Sequence, residues 1–317
     1  MSKPRTFTIG TRGSQLALWQ ANWVKGKLRI QAEIRQIRTS GDRFLDVPLQ
    51  GQMDKGFFTK EIEAELLAGG IDMAVHSLKD LPATLPQGLM LGAVLERSTV
   101  SDILLVHPRA VAAPGDSFPV KAGGMVGTSS LRRQALLRHF GPHLTSVFLR
   151  GNVSTRLEKC KRGDYDAIIV ARAGLERLRL NPDPLLAFDL SPDGWLSAPA
   201  QGALAVEVRA GDQELLEQLA PLDHAPTRQC VELERGLLVS FGAGCSAPFS
   251  AWAELDGEGT FSVHVGLAEN SGAWRSVFLR GNDPNQLIET ARQRLSQGEA
   301  PTGEVRRDIC RPARPWY

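Results

Sequence analysis

Apolar runs that alternate with polar clusters predict repeated strand–helix units in the first two hundred residues. Each of four short apolar runs ends in a cluster of Gly, Ser, Arg, Asp or Lys and is followed by a helical pattern. The runs lie at residues 6–10, 71–75, 125–127 and 167–170. Ligands of open parallel sheets bind beyond the carboxyl ends of the strands, which is where these clusters fall. The pattern therefore predicts α/β domains with a binding site at the strand ends.

The pattern changes after about Leu222, where a helix is predicted from Thr227 to Phe241. Alternating runs at 249–255, 260–267 and 274–279 follow, and Asp-Gly and Asn-Ser-Gly turns separate them. A further helix is predicted to start at Asp283-Pro284 and to run through Leu295. We therefore expect a seam between two α/β domains just before the Pro- and Gly-rich stretch 107–124, and a small α+β domain at the end.

The composition supports a multidomain protein without a global affinity for polyanions. The chain has 317 residues, of which 42% are hydrophobic, so two or three domains are expected. Its 37 Lys and Arg residues nearly balance 35 Asp and Glu residues. The net charge of +2 gives no general attraction to nucleic acid or to an acidic membrane, so any anion binding must be local.

The cysteines and the amino-terminal pattern indicate a cytoplasmic location. The four cysteines are widely scattered and form no CxxC pair, which fits a reducing compartment better than a disulfide framework or a zinc site. Neither a signal peptide nor a membrane span is recognisable, because the first thirty residues read as a short strand followed by a polar helix. The six histidines make no metal-binding pattern.

Arg132 and Arg133 fall in the first turn of a predicted helix. The positive end of the helix dipole disfavours a cation there by about 0.3–1 kcal/mol each, so we expect an anion beside them. The alternative is a solvated pair on the surface, where salt screening makes such positions tolerable. Thr128, Ser129 and Ser130 add hydroxyls, and the helix start adds free backbone N–H groups. Together these groups form a candidate anion site.

Similar clusters follow two other predicted strands. Arg12 with Ser14 repeats the arrangement after the first strand, and Arg150 and Arg156 bracket a turn that begins with Gly151. The planar fork of an arginine binds one carboxylate through two hydrogen bonds, so several forks imply a ligand with several carboxylates or phosphates. The sequence contains neither GxxxxGK[ST] nor GxGxxG, which argues against a nucleotide.

Asp80 is the candidate catalytic carboxylate. It follows Lys79 at the end of a predicted buried strand, and the neighbouring ammonium favours the ionised form. Such a carboxylate can stabilise a cation or relay a proton. The alternative is a turn-capping role before Pro82.

Cys245 lies in a loop without an apolar stripe to bury it, whereas Cys230 shares a predicted helical face with Leu233 and Leu237. The sequence gives Cys245 no recognisable His or Asn partner, so a role as a protease-type nucleophile has weak support. Most single cysteines in loops are unreactive. The residues alone leave its role open.

The heptapeptide SVFLRGN occurs twice, at 146–152 and at 276–282. The flanking sequences share nothing, so no duplication is inferred. We expect two strands that leave through similar Gly-Asn turns.

Seven segments in order resemble the porphobilinogen deaminase family, whose members are also called hydroxymethylbilane synthases. The resemblance spans nearly the whole chain. The segments are 11–17 (TRGSQLA), 55–58 (KGFF), 74–82 (AVHSLKDLP), 126–133 (VGTSSLRR), 149–157 (LRGNVSTRL), 198–202 (APAQG) and 244–248 (GCSAP).

The resemblance implies a fold of two α/β domains, similar to the lobes of periplasmic-type binding proteins, with the active-site cleft between them. A small α+β domain with a three-stranded antiparallel sheet would follow. We place domain 1 at residues 1–99 and 200–220, domain 2 at 100–199 and domain 3 at 221–317.

The resemblance also implies a transferase of tetrapyrrole and haem biosynthesis. Cys245 would carry a dipyrromethane cofactor through a thioether, and four porphobilinogen molecules would be joined head to tail onto it, each losing ammonia. Hydrolysis would release hydroxymethylbilane. Asp80 would face the pyrrole nitrogens and stabilise the azafulvene-like cation formed when ammonia leaves. A cytoplasmic monomer is expected, without nucleic acid, membrane or metal as a partner.

The family's binding residues carry over by motif position. Cofactor-binding residues would be Cys245, Ser14, Lys79, Thr128, Ser129, Ser130, Arg132, Arg133, Arg150, Gly151 and Arg156. Substrate-binding residues would be Arg12, Ser14, Arg150, Arg156, Arg177 and Gln201. Lys55 and Phe58 would belong to a flap over the cleft. The sequence departs from the pattern at Gln50-Gly51-Gln52-Met53, which lacks a lysine that some relatives carry, and at Ala243-Gly244, where a Gly-Gly pair is usual.

Two other functions use the same features. A solute-binding protein could share the two-lobed scaffold, because fold does not fix function, but it has no use for Cys245. A nucleic-acid-binding protein could use the arginines, but they lie at strand ends rather than along one face, and the net charge is near neutral.

Overall fold

The structure is a computed structural model that describes residues 5–43, 59–113, 116, 118–243, 247–269, 272–297 and 309–316. The chain divides into two compact units. Unit 1 comprises Met1–Ser98 and Gly202–Val231, and unit 2 comprises Thr99–Gln201 and Glu232–Tyr317. The domain boundaries expected near residues 99 and 200 stay predictions. The predicted third domain, 221–317, is divided between the two units, and its independence stays a prediction.

Helices and strands alternate along most of the described chain. In chain order they are β1 (Phe7–Thr11), α1 (Gln15–Lys27), β2 (Ala32–Gln36), α2 (Ser40–Arg43), α3 (Lys60–Leu67), β3 (Met73–Ser77), β4 (Leu89–Val94), β5 (Asp102–Val106), β6 (Met125–Gly127), α4 (Leu131–Phe140), β7 (Thr145–Val147), α5 (Val153–Lys161), β8 (Ala167–Ala171), α6 (Arg172–Leu178), β9 (Leu186–Leu190), β10 (Leu204–Arg209), α7 (Gln213–Leu219), α8 (Ala225–Ser240), β11 (Phe249–Leu255), β12 (Phe261–Ala268), β13 (Trp274–Gly281), α9 (Pro284–Gln297) and β14 (Cys310–Pro312).

Unit 1 contains a mixed sheet whose described strands have the order β2-β1-β3-β10-β4. β1 pairs in parallel with β2 and with β3, and Ile9 lies opposite Met73. β10 is antiparallel to β3 and β4. The apolar side chains of β1, β3 and β10 form a buried cluster with Ala21 and Val24 of α1. Because β1 and β3 are parallel neighbours, their carboxyl ends lie at the same edge of the sheet.

Unit 2 contains a second mixed sheet, with the described strands in the order β14-β9-β5-β8-β6-β7. β6 is parallel to β7 and to β8, whereas β5 is antiparallel to β8 and β9. All residues of β5 are buried, as expected for a central strand covered on both faces. The carboxyl ends of β6, β7 and β8 therefore share one edge. β14, which the pattern did not predict, pairs with β9.

The predicted α/β class and the three-stranded antiparallel sheet are confirmed. Within unit 2, β11, β12 and β13 form a meander in which Phe249 lies opposite Leu267 and Phe261 lies opposite Gly281. Trp274 of β13 joins the buried core that also contains Trp195. The helix predicted from Thr227 is α8, and the helix predicted after Asp283 is α9.

Both copies of SVFLRGN begin in a strand, and a helix follows each of them. In the first copy strand pairing ends at Val147, and Asn152 caps α5. In the second copy pairing continues through Gly281. The strand length therefore differs between the copies although the seven residues are the same.

Candidate functional site

The predicted site residues of unit 1 collect at the edge where β1 and β3 end. Arg12 and Ser14 follow β1, and the Ser14 hydroxyl caps α1 by accepting a hydrogen bond from the Ala17 N–H at 3.3 Å. Lys79 and Asp80 lie in a turn of 3₁₀ helix, Leu78–Asp80, directly after β3. Parallel pairing of the two strands explains why residues so distant in sequence share this edge.

Asp80 is exposed on a turn that is firmly anchored. Leu78 and Leu81 on either side of it are buried. The Leu78 N–H donates to the Ala203 carbonyl at 3.0 Å, and the Leu81 N–H donates to the Leu78 carbonyl at 3.2 Å. Within the part of the chain that the structure describes, the Asp80 carboxylate accepts no hydrogen bond, so the alternative of a turn cap is not supported. A fixed backbone therefore presents this carboxylate to solvent.

A buried acidic cluster also lies in unit 1. His76 Nε2, four residues before Asp80, lies 3.2 Å from Glu207 Oε2, and both side chains are buried. Glu63 of α3 is buried as well. Its burial, reinforced by the negative charge of Glu207, raises the pKa of Glu63 above its ordinary value.

Replacing Glu63 by Gln is expected to flatten the pH dependence of unfolding. A carboxyl group with a raised folded-state pKa contributes stability that is present below its unfolded pKa of about 4.3 and is lost as the pH rises through the folded pKa. The melting temperature of wild type should therefore fall relative to that of Glu63→Gln as the pH rises from about 4.3 through the folded-state pKa of Glu63. Glu65→Gln, on the same helix but partly exposed, is the control. Equal pH dependence in all three proteins would contradict the assignment.

The predicted site residues of unit 2 begin with the turn between β6 and α4. Thr128 is buried, and its Oγ1 accepts a hydrogen bond from the Ser130 N–H at 3.2 Å. The Ser130 hydroxyl caps α4 by accepting from the Arg133 N–H at 3.4 Å. Ser129 is partly exposed. The hydroxyls of Thr128 and Ser130 therefore help to shape the turn that precedes the helix.

Arg132 and Arg133 are buried, so the alternative of a solvated surface pair is wrong. The expected anion is Asp102, the first residue of β5. Arg132 Nη2 donates to Asp102 Oδ2 at 2.8 Å. Arg133 donates to the same carboxylate twice, from Nε at 3.0 Å and from Nη2 at 2.7 Å. The protein itself thus supplies a counter-charge at the start of α4.

Asp102 is not among the site residues predicted from the sequence. It is fully buried, and burial alone would raise its pKa, but the charges of Arg132 and Arg133 outweigh burial and hold the pKa below its usual range. The sequence feature that could have identified Asp102 is a single acidic residue at the start of an otherwise apolar buried strand, Asp-Ile-Leu-Leu-Val. Acids are rarely buried without a partner.

Gln201 belongs to the same cluster. Its Nε2 donates to Asp102 Oδ1 at 2.9 Å and to the Val100 carbonyl at 2.7 Å. The preceding Ala200 has a φ of 59°, and its N–H donates to the buried Glu234 carboxylate at 2.6 Å. The APAQG segment is therefore held in a strained, well-anchored turn.

Arg150, Gly151 and Arg156 follow β7 at the edge shared with β6 and β8. Gly151 has a φ of 112°, and a Cβ there would lie 2.8 Å from Thr155 Cγ2, so a glycine is required. Arg156 Nε donates to the Gly151 carbonyl at 2.8 Å, and Lys159 Nζ donates to the Arg150 carbonyl at 3.2 Å. These bonds fix the backbone from which both arginines project.

Arg177 lies on α6, the helix that follows β8. Burial lowers the pKa of its guanidinium to about 10, which leaves it charged at neutral pH. The four helices that follow the predicted site strands, α1, α4, α5 and α6, carry no acidic residue in the first turn, whereas α3 and α7 do. In these four helices, therefore, no acidic side chain of the first turn offsets the positive end of the helix dipole.

Lys55, Phe58 and Cys245 lie outside the described residues. Among the cysteines that are described, Cys160 and Cys230 are buried, as predicted for Cys230. Burial raises the pKa of the Cys160 thiol to about 12, so it is a poor nucleophile. No group of three or more His, Cys, Asp or Glu within the described ranges is arranged to hold a metal ion.

Comparison with known proteins identifies the family. Residues 7–217, which run from β1 into α7, match the family model "Porphobilinogen deaminase, dipyromethane cofactor binding domain". The chain belongs to the porphobilinogen deaminase family. The resemblance, the enzyme class and the dipyrromethane cofactor expected from the sequence are thereby confirmed.

Curated members of the porphobilinogen deaminase family match almost the full chain. The protein named porphobilinogen deaminase from Nitratidesulfovibrio vulgaris (strain DSM 19637 / Miyazaki F) is 46% identical, over 85% of this chain and 84% of its own. That from Syntrophomonas wolfei is 45% identical, over 93% and 97%. Among solved structures, an ancestral cationic amino acid solute-binding protein is similar at a TM-score of 0.39 and 14% identity, over 75% of this chain and 91% of that one.

Proposed function

We propose that this protein is a transferase of tetrapyrrole biosynthesis that deaminates porphobilinogen and joins four molecules of it head to tail, releasing ammonia and hydroxymethylbilane. The observation that carries the proposal is the placement of the family's motifs in the fold. Arg12, Ser14, Lys79 and Asp80 share one sheet edge, and the arginine-bearing turns after β6, β7 and β8 share another. A porphobilinogen ring bears an acetate and a propionate, and these edges offer donors for such groups.

The described residues fit a dipyrromethane, which bears several carboxylates. Among the described residues, Arg132 and Arg133 bring two positive charges to the single negative charge of Asp102, which leaves this cluster with an excess of one buried positive charge. A buried charge of this kind favours an anionic partner. When bound, dipyrromethane supplies the pyrrole primer onto which the substrate is joined. We propose that Cys245 holds it through a thioether and that Ser14, Lys79, Thr128, Ser129, Ser130, Arg132, Arg133, Arg150, Gly151 and Arg156 hold its carboxylates.

Asp80 is proposed to act on the ring nitrogen. Its carboxylate is fixed by the turn Leu78–Asp80 and remains exposed. Positive charge develops on the porphobilinogen ring as ammonia leaves, and a fixed carboxylate stabilises that charge without reorganising. The same oxygen atoms can then accept the proton that is lost after the carbon–carbon bond has formed. Arg12, Arg150, Arg156, Arg177 and Gln201 are proposed to orient the substrate through its side chains.

We also propose that the protein acts in the cytoplasm as a monomer. No helix among the described residues is long and apolar enough to span a membrane. The widely scattered cysteines without a CxxC pair support the cytoplasmic location, because they fit a reducing compartment. Sedimentation at micromolar concentration should give the mass of one 34.5 kDa chain.

Turnover tests the proposed function directly. Incubation of the purified protein with porphobilinogen should release one ammonia for each molecule consumed and should yield a linear tetrapyrrole that cyclises, with loss of water, to a porphyrinogen. A solute-binding protein would bind the compound without releasing ammonia. That result would overturn the proposal.

Arg150→Ala tests the carboxylate-binding role most cleanly. Arg132 is also an ion-pair partner of buried Asp102, so its removal confounds binding with stability. Arg150 is partly exposed, and loss of one charge-assisted hydrogen bond should lower kcat/KM about 10- to 100-fold. The melting temperature should change little.

Arg162→Ala is the matched control for Arg150→Ala. Arg162 is an exposed arginine of the same unit that pairs with Asp164 on the surface. Its removal should change neither turnover nor melting temperature appreciably. A large loss of melting temperature in Arg150→Ala with normal kinetics would favour a structural role instead.

A further inference from the structure

One carboxylate lies at the centre of several predicted site residues in unit 2. Asp102 accepts hydrogen bonds from Arg132 and Arg133, from Gln201 Nε2 at 2.9 Å and from Trp195 Nε1 at 3.0 Å. All five side chains are buried. Asp102 is exposed to no solvent, so it can act only through the residues that it holds.

The two arginines use their donors differently. Arg133 donates hydrogen bonds to Asp102 from Nε and Nη2, and its Nη1 donates to the Ile169 carbonyl at 3.0 Å. Arg132 uses Nη2 for Asp102 and Nη1 for the Leu196 carbonyl at 2.7 Å. The Nε of Arg132 takes no part in the hydrogen bonds formed among the described residues. Arg133 therefore mainly holds the Asp102 carboxylate in place. Arg132 retains one N–H group, on Nε, that donates to no described residue.

The cluster has an excess of one positive charge, because two guanidinium groups face one carboxylate. If stability alone were at stake, apolar side chains of similar volume would serve as well as a buried ion triad. Three of the four partners of Asp102 are instead among the residues expected to bind cofactor or substrate. Fixing long, flexible side chains in advance removes a cost that binding would otherwise incur.

We propose that Asp102 is a positioning residue, which orients Arg132 and Arg133 for the binding of cofactor carboxylates and Gln201 for the binding of substrate, without touching either ligand itself. In this arrangement Arg133 mainly fixes the position of the Asp102 carboxylate, and Arg132 presents its Nε–H to the ligand. The inference rests on the proposed function and adds a residue and a division of labour to it.

Assembly of the covalent cofactor provides the readout. Full-length protein would be produced in cells that cannot make porphobilinogen and then incubated with it, and the intact mass would be followed over time. Asp102→Asn keeps the shape of the side chain but removes its charge. If this variant folds, it should gain the pyrrole adduct at least about tenfold more slowly than wild type.

A pair of tryptophan variants keeps the test decisive if Asp102→Asn fails to fold. Trp195 and Trp274 are buried in the same core, but only the Trp195 indole donates to Asp102. The Trp274 Nε1 has no hydrogen-bond partner within the described residues. Trp195→Phe should slow adduct formation about three- to tenfold, whereas Trp274→Phe should leave the rate unchanged. Both variants remove the same atoms from the core, but only Trp195→Phe also breaks a buried hydrogen bond, so its melting temperature should fall further than that of Trp274→Phe.

The outcomes separate the inference from the proposed function. Adduct formation at the wild-type rate in Trp195→Phe, or in folded Asp102→Asn, would overturn the positioning role while leaving the function intact. Equal slowing in both tryptophan variants would assign the effect to core packing and would also overturn it. Absence of an adduct in wild type would overturn the proposed function and the inference together.

Discussion

Asp80→Asn is expected to lower kcat about 10²- to 10⁴-fold while leaving the fold intact. The carboxylate of Asp80 is exposed and makes no hydrogen bond within the described part of the chain, so its replacement disturbs no contact that stabilises unit 1. The amide of asparagine keeps the shape but can neither accept the ring proton nor balance the developing charge. Single-turnover kinetics with porphobilinogen, together with the melting temperature, would measure both properties.

Asp80→Glu is the matched control. It retains the charge but moves the carboxylate by one methylene group, so an activity between those of wild type and Asp80→Asn is expected. If Asp80→Asn turned over at a rate near that of wild type, Asp80 could not be the catalytic carboxylate. A large loss of melting temperature would show that its role is structural.

Cys245→Ser is expected to abolish both the pyrrole adduct and turnover. A serine hydroxyl cannot form the thioether proposed for the cofactor, and without a primer the substrate has no acceptor. The intact mass of this variant should equal that of the bare sequence, and ammonia release should fall to background. Cys310→Ser, at a partly exposed cysteine of β14, is the control and should keep both adduct and activity. An active Cys245→Ser variant would remove the basis for a covalent primer at this position.

Much of the fold could be predicted because each element has a local signal. The apolar runs that became β1, β3, β6 and β8 end in the polar clusters that follow them in the structure. The meander β11–β13 was predicted from alternation and turn residues. The antiparallel insertion of β10 between β3 and β4 could not be predicted, because strand order depends on tertiary packing rather than on any local pattern.

The candidate site was predicted residue by residue, but its connections were not. The unfavourable position of two cations at a helix start predicted an anion beside Arg132 and Arg133. It did not identify that anion as Asp102, which lies thirty residues before Arg132 in the chain. An ion pair between residues so far apart in sequence depends on the order of the strands in the sheet. For the same reason, the placement of Gln201 on Asp102 had no counterpart in the sequence.

The identity of the ligand came from a different kind of information. Arginines at strand ends indicate a carboxylate-rich ligand, but they do not distinguish a polypyrrole from other polyanions. The family's motifs make that distinction, and they also give Cys245 a role that composition and spacing left open. The positions of the arginines thus indicate the chemical class of the ligand, and family membership indicates which member of that class it is.

The intact mass of the purified wild-type protein tests the central claim most directly. The measured mass should exceed that of the 317-residue chain by one dipyrromethane, and peptide mapping should locate this addition on Cys245. The adduct should form when protein made without porphobilinogen is incubated with it. A mass equal to that of the bare chain, both as purified and after that incubation, would contradict the account.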